Sequence, residues 1–168
     1  LIELLVVIAL VGVLMGGTIA LINPVRQLQK TRDATRKSEI KQIQAAVELF
    51  RSDNSRYPGF GSDPNNPVYG WAPANLLNLN INGVTYMTSI PAGPNTGGNS
   101  CKGYLYAGNA NNYTVFTILE NTSDPEAASV KPAPTYGGGG NSPDGNKSWT
   151  ITNGACSGNT YNYWAINP

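Results

Sequence analysis

Residues 1–23 read LIELLVVIALVGVLMGGTIALIN and carry one charge, Glu3. A helix needs about 20 apolar residues to cross a bilayer, so the expectation here is a membrane-spanning helix. A cleaved signal peptide would end in a short polar cleavage region. This stretch instead runs into Pro24 and a long amphipathic pattern. A buried core helix would need many large apolar side chains to wrap it, and the remaining chain is rich in Gly, Asn and Pro. A carboxylate near the end of such a helix is costly unless it is paired, protonated or close to water. Glu3 is therefore a candidate functional residue, the alternative being a carboxylate that reaches the headgroups. Gly12, Gly16 and Gly17 permit close helix packing and weaken the helix by up to about 1 kcal/mol each relative to Ala. With Pro24 they mark residues 12–24 as the part most able to kink or unwind.

The 168 residues allow one modest domain plus one long element. Net charge is +1, so no global charge points to nucleic acid. There is no histidine, which removes His-based acid–base chemistry and Cys/His zinc sites. The two cysteines, Cys101 and Cys156, fit one disulfide made outside the cytoplasm, or else two unpaired thiols. No metal cluster, phosphate loop or nucleophile–base pairing is present, and an enzyme is not expected.

Residues 25–52 contain no Gly or Pro and many good helix formers. Ile40, Ile43, Val47 and Phe50 recur at i, i+3, i+7 and i+10, one apolar face suited to packing a sheet. Val25, Leu28, Thr31 and Ala34 are more mixed, which suits contact with other subunits or solvent. Arg26, Lys30, Arg32, Arg36, Lys37 and Lys41 make this region basic. They read either as a solvated face with an Asp33–Lys37 pair at i, i+4 or as contacts to anionic headgroups and then to acidic neighbours. Nucleic acid is not an expected partner, because no aromatic residues interleave these charges. Asp53-Asn54-Ser55-Arg56-Tyr57-Pro58 reads as a helix stop, with Asn left-handed and Tyr57 folded back.

Beyond it, residues 59–80 form a connecting loop, with Trp71, Leu76, Leu77 and Leu79 as anchors and a helical turn over 75–79. Residues 103–107 and 113–119 predict a hairpin with a five-residue loop, 108–112. Residues 149–152 and 161–166 predict a second pair. Tyr113, Val115, Thr117 and Leu119 share one face of their strand, and Thr114, Phe116 and Ile118 the other. A Cys101–Cys156 bond would close a loop of about 55 residues, stabilise by a few kcal/mol and pin the C-terminal stretch to the sheet. Residues 121–148 read as an exposed irregular loop. Asn112, Asn121 and Asn146 begin Asn-x-Ser/Thr triplets, which arise by chance in so Asn-rich a chain. Asp124, Glu126 and Asp144 could serve calcium, though their spacing matches no oxygen-ligand loop. No cofactor is expected.

LIELLVVIALVGVL resembles the N-terminus of mature type IV pilins and of the pseudopilins of type II secretion. The segment TRDATRKSEIKQIQAAVELFRSDNSRYPG extends the resemblance with an Arg/Lys-rich patch, an Ile-Gln-x-Ala helix and an Asp-Asn-x-x-Tyr-Pro close. Residues 86–91 are similar to the family's short Ile-Pro stretch before the sheet. The resemblance is specific over about the first third of the chain. It implies an α+β, pilin-like fold: a hydrophobic transmembrane and filament-core helix (1–23), an amphipathic helix (24–56) and a small antiparallel β-sheet head (57–168). It implies a subunit made in the inner membrane, trimmed by a prepilin peptidase and built by inner-membrane assembly machinery into a cell-surface filament of many copies. Leu1, Leu4, Leu5, Val7, Ile8, Leu10 and Val11 would pack the filament core, and Glu3 would neutralise a neighbour's N-terminal amine. The family's N-methylated residue is usually the Phe of a Phe-Thr that precedes Leu-Ile-Glu. No Phe-Thr stands before Leu1-Ile2-Glu3 in this sequence, and methylation is not assigned to Leu1. Some major pseudopilins bind calcium in a C-terminal loop. The expected roles are a major pilin, a major pseudopilin or a minor pilin of DNA uptake.

Overall fold

Two helices open the chain, α1 (Ile2–Leu21) and α2 (Pro24–Asn54), the second begun by Asn23 as its cap and Pro24 as its first residue. Proline costs no hydrogen bond at a first helical position, and Asn23 caps the new helix by accepting the Arg26 N–H on Oδ1 at 3.3 Å. Pro24 is thus the start of a renewed helix. Gly12 lies within α1, as does the backbone of Gly16 and Gly17. The computed structural model describes residues 1–21, 23–60, 70–94, 96–97, 100–128, 140–141, 149–151, 156 and 160–166. Of 16–21, 70–71, 100, 128, 140–141, 149–151 and 166 it describes the backbone alone.

The far end of α2 stops at Asn54. Ser55, not Asn54, takes the left-handed conformation (φ 56°, ψ 19°), and its N–H returns to the Arg51 carbonyl at 2.8 Å. Tyr57 folds back under it, fully buried. The Arg51 guanidinium lies 4.6 Å from its ring centroid, and Tyr57 Oη donates to Glu48 at 3.2 Å.

The head holds a four-stranded antiparallel sheet in the order β1-β4-β5-β9. Its strands are β1 (Gly70–Pro73), β4 (Leu105–Gly108), β5 (Tyr113–Thr117) and β9 (Tyr163–Ile166). β1 falls inside the stretch expected to be a loop. Gly108 pairs with Tyr113 in the ladder, which shortens the expected five-residue loop to 109–112, closed by Asn109 Oδ1 accepting the N–H groups of Asn111 and Asn112. A hairpin of β2 (Asn80–Ile81) and β3 (Val84–Thr85) turns through Asn82 and Gly83, both at positive φ, as a two-residue hairpin turn requires. Residues 74–76 form a 3-10 turn in place of the longer one expected over 75–79. Leu77 and Leu79 are buried anchors, whereas Leu76 is exposed; the Trp71 side chain is outside the described residues.

The expected second strand pair divides. β7 (Trp149–Ile151) pairs with β6 (Gly140–Asn141) and with β8 (Thr160–Tyr161). Residues 163–166 cross to the main sheet instead, as β9 beside β5. Asn162 makes that division: its side-chain amide bonds both the N–H and the C=O of Leu119, at 2.7 and 3.0 Å, extending the β5–β9 ladder with a side chain. Within the expected loop 121–148, α3 (Pro125–Ala128) is one helical turn. Asp144, the Asn146 triplet and residues 129–139 lie outside the described residues, as does 152.

One face of the sheet packs on α2. Ile40, Ile43, Val47 and Phe50 are 0–2 % exposed and meet Tyr106, Tyr113 and Val115. Each such side chain contributes roughly 1.5–3 kcal/mol by leaving water. The other face carries Leu105, Ala107, Phe116 and Trp164, which cluster with Tyr161 and Cys156. Cys101 and Cys156 are bonded, and Tyr161 Oη donates to the Cys101 carbonyl at 2.7 Å.

The expected membrane-spanning helix is corrected. Among the described residues no helix is long and apolar enough to cross a membrane. The inner-membrane stage and the cell-surface destination inferred from that helix are corrected with it.

Candidate functional site: an uncovered apolar helix and a charged stem

Over its described side chains, residues 2–15, α1 is apolar on every side, and none of those sides is covered by a described residue. Leu1, Leu4, Leu5, Val7, Ile8, Leu10 and Val11 are all exposed, from 43 % at Val11 to 102 % at Leu1. They are brought together only as one helical surface, and no described residue of the head joins them. An all-round apolar helix is stable in water only when something covers it. Glu3, in the first turn, is exposed on the same surface.

Only half of the basic stretch of α2 is the solvated face that its composition suggests: Arg26, Lys30 and Lys41 are exposed, but Arg32, Arg36 and Lys37 are engaged with the head. Asp33 and Arg36 continue the 3–4 spacing of Ile40, Ile43, Val47 and Phe50, and are only 2 % and 4 % exposed. Arg36 donates to Asp33 Oδ1 at 3.2 Å, to Glu120 Oε1 at 3.0 Å and to the Pro94 carbonyl at 2.6 Å. Asp33 accepts the backbone N–H groups of Glu120 and Asn121, each at 2.8 Å. Arg32 forks onto Glu120 through Nε and Nη2. One turn on, Lys37 donates to both oxygens of Asp124 at 2.9 Å and pairs with Glu126 at 2.9 Å. The expected Asp33–Lys37 pair is therefore replaced by Asp33–Arg36 and Lys37–Asp124.

Burial works to raise the Glu120 carboxyl, but the Arg32 hydrogen bond and the Arg36 and Arg32 charges outweigh it and hold it below its usual value. Burial likewise opposes the Lys37 hydrogen bond at Asp124, and the ion pair again wins, lowering that carboxyl. The three acids farther along α2 are taken by tyrosines. Glu39 accepts from Tyr104, Glu48 from Tyr57 and Asp53 from Tyr86. Burial and Glu39 together push the Tyr104 phenol far up.

Asp124 and Glu126, candidates for calcium, surround the Lys37 ammonium. Among the described residues no group of three or more His, Cys, Asp or Glu could hold a metal ion. A shallow open cleft of about 250 Å³ lies beside β2 and β3, lined by Asn75, Leu77, Leu79, Thr85, Met87 and Ile90, with no charged group. Glu120 and the Pro94 carbonyl were not foreseeable from the sequence. Asp33 and Arg36 were, since they fall on the apolar stripe at its own spacing.

The chain matches no family model, no curated protein and no solved structure.

Proposed function

We propose that this chain is the repeating structural subunit, a major pilin, of a type IV pilus-like helical filament, assembled by packing of the N-terminal helices, α1 and α2, of neighbouring copies. The observation that carries the proposal is the exposure of the described side chains of α1, residues 2–15, on all sides. Many copies of the same helix would cover it, with dispersion and loss of apolar area driving assembly. The long helix on a small antiparallel sheet is compatible with a pilin-like head, and the resemblance of residues 1–14 and 31–59 to that family supports the same reading. Glu3 needs a positive partner inside such a core, because an unpaired carboxylate there costs several kcal/mol. It acts as a selector of register, and no catalysis is involved.

The test is electron microscopy and sedimentation of the purified full chain. Ordered filaments of uniform diameter are expected, lost in Val7→Asp and reduced in Glu3→Ala, with the head's fold unchanged by circular dichroism. A wild-type chain that stays monomeric, or only aggregates without order, would overturn the proposal.

A further inference from the structure

Among the described carboxylates, Glu3 alone has no partner. Asp33 and Glu120 engage Arg36, Asp124 and Glu126 engage Lys37, and Glu39, Glu48 and Asp53 accept from tyrosines. On α2, Arg26, Lys30 and Lys41 are exposed and make no ion pair with a described residue, while Arg32, Arg36 and Lys37 are all engaged with the head. The described residues thus leave one carboxylate at the start of α1 and, apart from Lys41 farther along the helix, two cations on the first turns of α2.

We infer that Glu3 of one copy pairs with Lys30 of the next, with Arg26 one turn away, so that α1 lies parallel along the exposed row of α2. This rests on the filament reading above and names the surface of the second copy that receives α1. Arg26, Lys30, Ala34 and Ser38 succeed one another at i+4, and all are exposed. So do Glu3, Val7, Val11 and Met15 on α1. With Glu3 beside Lys30, Val7 comes beside Ala34 and Val11 beside Ser38. These partners are small and uncharged, so the helices can approach closely while the unlike charges meet at one end. Two different surfaces of the chain are used, which makes the contact heterologous. It repeats open-endedly and does not close into a dimer.

The test is carbodiimide cross-linking of filaments assembled from an equal mixture of ¹⁵N-labelled and unlabelled full chain, read by mass spectrometry. Carbodiimide joins a carboxylate to an amine in contact, and both Lys30 and the Leu1 amine can react. The expected product is Glu3–Lys30 carrying one label on each side. Cross-links from Glu3 to the Leu1 amine alone overturn the pairing while leaving the filament reading intact. As a second arm, Glu3→Lys and Lys30→Glu should each lower the assembled fraction about tenfold or more, since like charges juxtaposed in an interface cost several kcal/mol. The double variant should recover most of it. A double variant no better than either single overturns the pairing. A wild-type chain that forms no filaments defeats the functional reading, and the pairing with it.

Discussion

Asp33 and Arg36 are joined at 3.2 Å and almost wholly buried, in a helical stripe whose other members are Ile40, Ile43, Val47 and Phe50. A buried pair of charges is weak evidence of net stabilisation, yet breaking it from one side is costly. Asp33→Ala should lower unfolding free energy by about 3–5 kcal/mol, because it strands the Arg36 charge and frees the N–H groups of Glu120 and Asn121. Urea unfolding checks this. A cost under about 1 kcal/mol would show that water replaces the carboxylate, an outcome incompatible with the burial of this site.

Acid should loosen the same seam. Glu120 and Asp124 are held below their usual pKa in the folded chain. A carboxyl with a lowered folded pKa contributes stability above its unfolded pKa, and that contribution is lost as pH falls through the folded one. Melting temperature should therefore be flat from neutral pH to about pH 5 and fall below about pH 4. Glu120→Gln combined with Asp124→Asn should start lower at neutral pH and fall less steeply in acid. Equal slopes in the two proteins would refute the assignment.

Reduction tests the C-terminal cover. The Cys101–Cys156 bond closes a loop with a sequence separation of 55. A loop of that length corresponds to about 4 kcal/mol of stabilisation in the chain-entropy picture. Cys156 packs with Phe116, Tyr161 and Trp164 on the sheet face away from α2. Unfolding followed by tryptophan fluorescence, with and without reductant, should show that loss, with the Cys101→Ser/Cys156→Ser variant matching the reduced chain. A midpoint unmoved by reductant would mean that the cover holds by packing alone.

Gly108 sits where only hydrogen fits. A Cβ there would lie 2.8 Å from Tyr106 Oη and 2.9 Å from its ring. Tyr106 is fully buried and donates to the Pro58 carbonyl at 3.0 Å. Gly108→Ala should cost about 1–3 kcal/mol by displacing that ring, measured by thermal denaturation. Tyr106→Phe/Gly108→Ala should recover part of it, because the smaller ring has no hydroxyl to clash. An unchanged melting temperature in Gly108→Ala would contradict the close contact.

Periodicity alone determined α2, its apolar stripe from Ile40 to Phe50 and the sidedness of Tyr113 and Val115 against Phe116, whereas α1 was legible as an unbroken apolar run. These are local consequences of 3.6- and 2-residue repeats and need no knowledge of what lies opposite. The order of strands was not legible in the same way. β1 lay hidden in a stretch dense in Pro, Gly and Asn, and the C-terminal strand left its expected partner for β5 at Asn162, because pairing depends on which edge is free. The basic patch shows the same limit. Its residue types suggest a solvated surface, but Glu120, Asp124 and the Pro94 carbonyl arrive from 58 to 88 positions away, and Coulomb attraction at short range is blind to sequence distance. Composition alone also suggested a membrane for residues 1–23. What covers α1 depends on its surroundings in three dimensions, and the uncovered helix with Glu3 unpaired is the feature that only the tertiary structure brought out.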